Sequence, residues 1–228
     1  MIKQLFQQAK TLATRYQPGR QRQSDQNQWE SRWATPDFAP SWRIQTIPHE
    51  LETVVAQQWF PPGGHLLDIG CGRGECANWL AQKGFTVLGI DFAPSAIARA
   101  QATYPENERL QFEVLDICQS APDRSFQLLF DRGCLHTIPE ANRPHYVRHV
   151  ASIAIPGAHF LLLHKTHDDP NHPTVSSDER AKRNQQTFDR LKCEFQGTFE
   201  IVKMKPSHIL RVPPALPVPS VVLWLVRH

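Results

Sequence analysis

Three closely spaced glycines lie between a short apolar run and an amphipathic segment, a pattern typical of a turn that holds a ligand. The run His65–Ile69 has the length of a buried strand, the turn Gly70–Gly74 follows, and a helical pattern begins at Glu75. Glycine permits a sharp turn and lets a ligand approach where a Cβ would block it. Backbone N–H groups at the start of the helix can then bind the carboxylate of a cofactor. A plain glycine-rich turn is the alternative interpretation.

A carboxylate at the end of the next strand argues against a plain turn. Asp91 follows the apolar run Phe85–Ile90, and an acid at this position of a doubly wound sheet accepts hydrogen bonds from ribose hydroxyls. Nicotinamide dinucleotides and S-adenosylmethionine both offer a ribose. The dinucleotide fingerprint requires a third glycine where this chain has Glu75. The Gly-x-Gly-x-Gly spacing therefore favours S-adenosylmethionine.

Apolar runs and helical patterns alternate through most of the chain. The runs are His65–Ile69, Phe85–Ile90, Leu110–Leu115, Phe126–Phe130, His159–Leu163, Phe199–Met204 and Val221–Val226, and the helical patterns are Glu50–Trp59, Glu75–Lys83, Pro94–Gln101, Arg143–Ile153 and Glu179–Phe195. This order predicts an α/β fold: a Rossmann-like, doubly wound, seven-stranded sheet that is mostly parallel, with helices on both faces. The third run alternates like an edge strand, whereas the first and fifth resemble central strands. A proline-rich connection without a helix predicts an antiparallel last strand.

The N-terminal part divides differently. Residues 2–16 have helical apolar spacing and residues 17–28 are polar, so we expect residues 1–28 to form a helix and a linker, and residues 29–228 to form one domain. Three of the six tryptophans, Trp29, Trp33 and Trp42, fall in the segment 29–48. Such an aromatic surface segment usually covers something, and we interpret it as a cap. The i, i+4 pair of Trp29 and Trp33 can also be a simple hydrophobic contact.

The overall composition excludes several classes of protein. The chain has 228 residues, a formal charge of +3 and mixed acids and bases, which is too weak a field to indicate nucleic acid binding. It lacks an apolar run of about 18 residues, so no membrane span is predicted. Five cysteines at irregular positions indicate reduced thiols and a cytoplasmic protein. His145 and His149 lack a third ligand, so no metal site is predicted. We expect a monomer or a weak homodimer.

The segment Leu67–Gly74 resembles motif I of class I S-adenosylmethionine-dependent methyltransferases. Asp91 resembles the ribose-binding acid of that class, and Asp116-Ile117 resembles its adenine-binding pair. The resemblance implies that the glycines hold the methionine end of the cofactor and that S-adenosyl-L-homocysteine is the product. A turn-forming role is the alternative for Asp116.

A second, narrower resemblance is to the thiopurine S-methyltransferase group, which includes thiol and halide methyltransferases and bacterial enzymes for selenium or tellurium compounds. It rests on Phe130–His136, which contains Asp-Arg-Gly, on Arg143 and Tyr146 downstream, and on tryptophans that cap the cofactor. It implies Asp131, His136 and Arg143 as catalytic residues. The cofactor-binding residues implied by both resemblances are Trp29, Trp33, Asp68, Gly70, Cys71, Gly72, Gly74, Asp91, Phe92, Asp116, Ile117, Asp131, Arg132 and Gly133. Arg43 departs from the group pattern, in which acidic or apolar residues often follow the tryptophan at Trp42.

These features predict methyl transfer from S-adenosylmethionine to a small-molecule acceptor, a thiol or another soft nucleophile (S, Se or Te). A thiolate needs little help from a base, whereas a hydroxyl or amine would need one, and His136 is the candidate. One alternative is an O- or N-methyltransferase of a larger metabolite, and another is a non-catalytic module that binds an adenosine ligand. Nucleic-acid methyltransferases usually carry an Asn/Asp-Pro-Pro-aromatic motif where this chain has Asp131-Arg132-Gly133.

Overall fold

The computed structural model describes residues 18–166 and 176–228. The helix expected at residues 2–16 lies outside them. The strands are β1 (His65–Ile69), β2 (Thr86–Asp91), β3 (Leu110–Val114), β4 (Phe126–Arg132), β5 (Ala154–Lys165), β6 (Phe199–Ile209) and β7 (Val218–Arg227). The α-helices are α1 (Pro18–Ala34), α2 (His49–Ala56), α3 (Glu75–Gln82), α4 (Pro94–Thr103), α5 (Arg143–Ile153) and α6 (Ser177–Phe195). Short 3₁₀ turns at Leu135–Thr137 and Glu140–Asn142 lead into α5.

The strands form one seven-stranded sheet in the order β3-β2-β1-β4-β5-β7-β6. The first five strands are mutually parallel, and β7 runs antiparallel to both β5 and β6. This confirms the predicted fold class, the antiparallel last strand, the edge position of β3 and the interior positions of β1 and β5. The strand order reverses between β1 and β4, and doubly wound sheets bind ligands at the carboxyl ends of strands beside such a point.

Helices cover both faces of the sheet because successive strand residues point to opposite sides. Leu66 of β1 packs in the cluster under α2, α3 and α4, whereas its neighbour Leu67 packs in the cluster under α5 and α6. Both side chains are fully buried. The strand ends that border the site are therefore held by two separate apolar layers. None of the helices within the described ranges has the length and apolar character needed to cross a membrane.

Helix α1 differs from the sequence prediction. The polar stretch at residues 17–28 was expected to be a linker, but residues 18–28 form the first part of α1, and the expected boundary at residue 28 falls inside this helix. Gln and Arg are good helix formers, although they give no apolar stripe by which a helix could be recognised. The helix is attached to the sheet domain by Trp33, which packs on Ala93 and Ala96, and by polar contacts, which hydrophobic periodicity cannot reveal.

Candidate cofactor and acceptor site

A cavity of about 570 Å³ opens at the carboxyl ends of the strands. Its wall combines the loops after β1 to β5 with α1 and the segment that follows α1. Most of the predicted site residues lie on this wall: Trp29, Trp33, Asp68, Gly70, Cys71, Gly72, Asp91, Phe92, Asp116, Ile117, Arg132, Gly133, His136 and Arg143. Gly74 and Asp131 do not.

The glycine turn has the backbone geometry that its sequence predicts. Gly70 and Gly72 have positive φ angles of 69° and 56°, a conformation that side chains disfavour. A Cβ at Gly70 would lie 2.6 Å from the Cβ of Cys134, and one at Gly72 would lie 3.4 Å from the Trp33 ring. The absence of side chains at Gly70 and Gly72 thus keeps the bottom of the cavity open between Cys134 and Trp33.

Gly74 has a packing role in the turn. A Cβ at Gly74 would lie 2.6 Å from the Phe112 ring, and the residue, with φ of 81°, is the N-cap of α3. Its lack of a side chain serves the packing of the turn on the β3 side of the sheet. Gly74 is not on the cavity wall, and its predicted contact with the cofactor stays a prediction.

Asp91 fastens the glycine turn to β2. Its carboxylate accepts hydrogen bonds from the backbone N–H groups of Gly72, at 3.1 Å, and Ala93, at 3.0 Å. Burial raises the pKa of Asp91 to about 6, although these hydrogen bonds act in the opposite direction. The carboxylate remains on the cavity wall, where it can accept further hydrogen bonds.

Asp68 at the end of β1 is a buried carboxylate with an unsatisfied oxygen. Within the described part of the chain, its Oδ2 has no hydrogen-bond partner. Burial, and next the neighbouring charge of Asp131, raise the pKa of Asp68 to about 8. A buried polar atom without a partner is costly, and an ammonium group in the cavity would satisfy it. The open floor and this carboxylate therefore fit the amino-acid end of S-adenosylmethionine.

Asp116, after β3, contacts α1. Its Oδ2 accepts a hydrogen bond from Nε2 of Gln26 at 2.5 Å, and its Oδ1 accepts one from the Cys118 N–H at 3.0 Å. The second contact is the turn-forming role considered for this residue, and it coexists with a place on the cavity wall. Sequence reasoning missed Gln26, because one glutamine in a polar stretch carries no distinguishing signal.

Helix α1 is also attached to the first turn of α4. The Glu30 carboxylate accepts hydrogen bonds from the backbone N–H of Ser95 at 3.2 Å and from its hydroxyl at 2.5 Å. A negative charge is favourable at a helix N-terminus. Further along α4, Arg99 donates to the carbonyls of Pro36 and Phe38 at 3.2 and 3.4 Å. The segment after α1 is thereby held beside the cavity.

An aromatic cap, defined here as Trp29, Trp33, Phe38 and Trp42, joins α1 to the segment that follows it. The Trp33 ring meets Phe38 at 5.3 Å, Phe38 meets Trp42 at 6.1 Å, and Trp42 meets Trp29 at 5.6 Å, all edge to face. This arrangement is favourable for aromatic rings. The three tryptophans lie on the cavity wall.

Asp131 is a structural residue. Its carboxylate is fully buried and accepts hydrogen bonds from the Tyr146 hydroxyl at 2.6 Å and from the N–H groups of Cys134 and Leu135 at 2.8 and 3.0 Å. The Asp131 side chain therefore faces the core and does not reach the cavity, which corrects its predicted catalytic and cofactor contacts. Strand residues alternate in direction, and it is the next residue, Arg132, that lies on the cavity wall.

Arg132 supports two loops at the edge of the cavity. Its guanidinium donates to the carbonyls of Trp42 and Leu210, both at 3.2 Å. Burial lowers its pKa. Arg143 is similarly engaged, since its Nε donates to the Ile138 carbonyl at 3.1 Å and its Nη1 lies 3.3 Å from the Glu194 carboxylate.

Two histidines lie on the cavity wall: His136 follows β4, and His164 is in β5. Nδ1 of His136 accepts a hydrogen bond from the backbone N–H of Lys165 at 3.4 Å. Burial, followed by the charges of Lys165 and Arg143, lowers the pKa of His136 to about 3. The His164 ring packs edge to face on His136, with ring centroids 5.8 Å apart. Both imidazoles line the cavity.

His164 was not predicted as a site residue. It follows the apolar run His159–Leu163 and lies at the same edge of the sheet as Asp68 and Asp91. A polar residue at the end of an apolar strand was therefore the signal that could have identified it. Two cysteines on the wall, Cys71 and Cys134, have thiols whose pKa is raised by burial. Both therefore stay protonated, in agreement with a structural role.

The fold and the cavity define a class I S-adenosylmethionine-dependent methyltransferase. Residues 24–196 match the sequence model of the family described as thiopurine S-methyltransferase (TPMT). The chain belongs to this family.

Two curated relatives match about half of the chain. One is the 2-heptyl-1-hydroxyquinolin-4(1H)-one methyltransferase of Mycobacteroides abscessus, 32% identical over 127 residues, which are 54% of this chain and 55% of that protein. The other is an uncharacterized methyltransferase of Synechocystis sp., 30% identical over 135 residues, which are 58% of this chain and 59% of that protein. The chain thus spans between half and three fifths of the length of each.

Solved structures share the fold at low sequence identity. The 1,6-didemethyltoxoflavin-N1-methyltransferase of Burkholderia thailandensis, with its substrate and S-adenosylhomocysteine bound, has a TM-score of 0.66 at 16% identity, covering 93% of this chain and 91% of that chain. The N-methyltransferase NodS of Bradyrhizobium japonicum, in complex with S-adenosyl-l-homocysteine, has a TM-score of 0.64 at 16% identity, covering 90% and 98%.

Proposed function

We propose that the protein transfers the methyl group of S-adenosylmethionine to a small-molecule acceptor and releases S-adenosylhomocysteine. Family membership, the cavity at the switch point of the sheet and the unsatisfied Asp68 oxygen support this. The cofactor supplies an activated methyl group, so the protein mainly binds and orients. Holding a nucleophile about 3–3.5 Å from the methyl carbon can lower the barrier by several kcal/mol.

The cofactor would lie along the carboxyl ends of β1, β2 and β3. Gly70 and Gly72 would hold the methionine end beside Asp68. Asp91 would accept hydrogen bonds from the ribose, and Asp116 with the Ile117 N–H would bind the adenine. Trp29 and Trp33 would cover the cofactor, and a closed cap would exclude water from the reacting atoms.

The acceptor atom would be a sulfur or another soft nucleophile, and the state of His136 is the observation that carries this proposal. Because Nδ1 of His136 accepts a hydrogen bond, its neutral ring has its proton on Nε2 and can only donate from there. A pKa of about 3 makes this imidazole a poor base. A hydroxyl or amine would need a base, whereas a thiol with a pKa of about 8.5 supplies thiolate without one.

Product formation and cofactor binding test the proposal together. We expect calorimetry to show adenosylmethionine binding, and Asp91→Asn to weaken it at least about tenfold, since the ribose loses a charged acceptor. We expect adenosylhomocysteine to form with simple thiols and not with matched phenols or amines. Turnover of phenols or amines alone would select the O- or N-methyltransferase alternative. Cofactor binding without turnover of any acceptor would select the non-catalytic module.

We propose in addition that α1 and the sheet belong to one domain and that the protein works in the cytoplasm as a monomer or weak homodimer, without nucleic acid or membrane partners. All five cysteines are free thiols, which suits a reducing compartment, and the charge is small and mixed. Light scattering of the purified protein checks the oligomeric state, and a stable higher oligomer would contradict it.

A further inference from the structure

The carboxylates on the cavity wall are confined to one half of the sheet, whereas cations are not, since Arg32 and Arg43 also lie on the wall, from α1 and the segment after it. The carboxylates belong to the β1, β2 and β3 half of the sheet: Asp68, Glu75, Asp91 and Asp116, of which Glu75 lies 3.7 Å from Arg73. In the other half, from β4 onward, the described wall residues include no carboxylate and several cations: Arg132, Arg143, Lys165, Arg190 and Arg211. We call this half of the wall the cationic half. It lies next to the half of the wall formed after β1, β2 and β3, where the positively charged sulfonium of the proposed cofactor would bind.

His164 is a buried polar side chain on the wall of the cationic half. It is 2% exposed, and within the described ranges neither ring nitrogen makes a hydrogen bond of good geometry, although the Lys165 backbone acts on the ring. Burial lowers its pKa, and the charges of His136, Arg143 and Arg190 act in the same direction. A buried polar group without a good partner is destabilising. A ligand group that contacts the imidazole would recover this cost.

The guanidinium groups near His164 are incompletely neutralised. Arg143 and Arg190 approach the same oxygen of Glu194, at 3.3 and 3.7 Å, so two positive charges share this ion-pair partner, and the charge of Glu140 also acts on Arg190. Arg132 donates to two main-chain carbonyls, which carry no net charge. An anion entering the cationic half would be bound by planar donors that match carboxylate geometry.

We propose that the methyl acceptor carries a carboxylate remote from its nucleophile, and that Arg143, Arg190 and His164 bind this carboxylate. The substrate class is a small carboxylated acceptor, a carboxylated thiol if the proposed function holds, on which this inference rests for its chemistry. The carboxylate would also offset the repulsion between the sulfonium and the cationic half, so that cofactor and acceptor favour each other's binding.

Binding can be measured without turnover. With the protein saturated with adenosylhomocysteine, calorimetry compares cyclohexanecarboxylate with its neutral analogue cyclohexanecarboxamide. We expect the carboxylate to bind at least about tenfold more tightly, the scale of one charge-assisted hydrogen bond. Arg190→Gln should reduce this preference to within about threefold, and Arg190→Lys, which keeps the charge, should retain an intermediate preference.

Arg183→Gln is the matched control. Arg183 lies on the same helix, α6, is exposed, pairs with Glu179 at 2.9 Å and is not on the cavity wall. This variant should keep the full preference for the carboxylate. Equal affinity of the unmodified protein for the two ligands would overturn the inference, as would an equal loss of preference in Arg183→Gln and Arg190→Gln.

Turnover separates this inference from the proposed function. We expect 4-mercaptobenzoate to have a higher kcat/KM than 4-mercaptobenzamide, through a lower KM, and Arg190→Gln to remove the difference. Equal kcat/KM for both thiols would overturn the inference while leaving thiol methylation intact. Selective binding of the carboxylate without turnover of any thiol would support the inference and contradict the proposed function.

Discussion

Replacing Tyr146 by Phe removes one hydrogen bond from a fully buried carboxylate. The Tyr146 hydroxyl donates to Asp131 at 2.6 Å, and both side chains are 0% exposed. A hydrogen bond to a charged group contributes about 1.5–3 kcal/mol, and the buried oxygen left behind has no access to water. We therefore expect Tyr146→Phe to lower the free energy of unfolding by about 2 kcal/mol at about pH 8, which for a chain of this size lowers Tm by about 4–8 °C.

The loss should depend on pH in a defined direction. Burial raises the pKa of Asp131 from 3.8 to about 6 in the folded protein, and the Tyr146 hydrogen bond acts against this rise. A carboxyl with a raised pKa stabilises the fold below its unfolded pKa, and this contribution is lost as the pH rises through the folded pKa. Without Tyr146 the folded pKa rises further. The variant should thus lose most above about pH 6 and least near about pH 4, where Asp131 is protonated in both proteins.

Urea denaturation of both proteins across this pH range measures the effect. Tyr104→Phe is the control, because Tyr104 is only partly buried, and we expect it to cost less than about 0.5 kcal/mol at every pH. A Tyr146→Phe loss that does not vary with pH, or that only equals the control, would refute the structural role assigned to Asp131.

Three further predictions concern the site. Gly70→Ala should weaken adenosylmethionine binding at least about tenfold in calorimetry because its Cβ would clash with Cys134, whereas Gly84→Ala, with φ of 93° but open space, should lower Tm without changing affinity. Glu30→Gln should cost about 0.5–1 kcal/mol of stability and speed hydrogen exchange in α1; unchanged exchange would contradict the docking role. His136→Gln should change kcat for a thiol by less than about tenfold. The kcat profile of the unmodified protein between about pH 5 and pH 7 should show no inflection from His136, whose pKa of about 3 keeps it neutral there. A larger loss, with an inflection in the unmodified protein that disappears in His136→Gln, would identify it as a base.

The sequence predicted the sheet and the residues that line the cavity after β1 and β2, because both depend on local patterns. The strand at His65–Ile69, the glycine turn and the acid at Asp91 follow from strand length, backbone freedom and position at a strand end. The first part of helix α1 escaped prediction because it is attached by polar pairs such as Gln26 with Asp116, whereas the apolar contact of Trp33 lies near its end. Such pairs join residues far apart in sequence and leave no periodic signal.

The residues that line the cavity from β4 onward were predicted less well, because their positions depend on how the strands and helices pack. Asp131 and Arg132 are neighbours in β4, and which of the two reaches the cavity depends on the pleat of the strand. The sequence motif alone favoured Asp131, but its carboxylate turns inward to Tyr146. His164 and Arg190 reach the same wall from β5 and α6, and only the packed fold brings them together.

The most direct test of the central claim is a transfer assay with methyl-labelled adenosylmethionine and 4-mercaptobenzoate. We predict labelled thioether and adenosylhomocysteine in equal amounts, with both products lost together in Asp91→Asn. Adenosylmethionine that binds in the cavity but transfers no label to this or any other thiol would contradict the account.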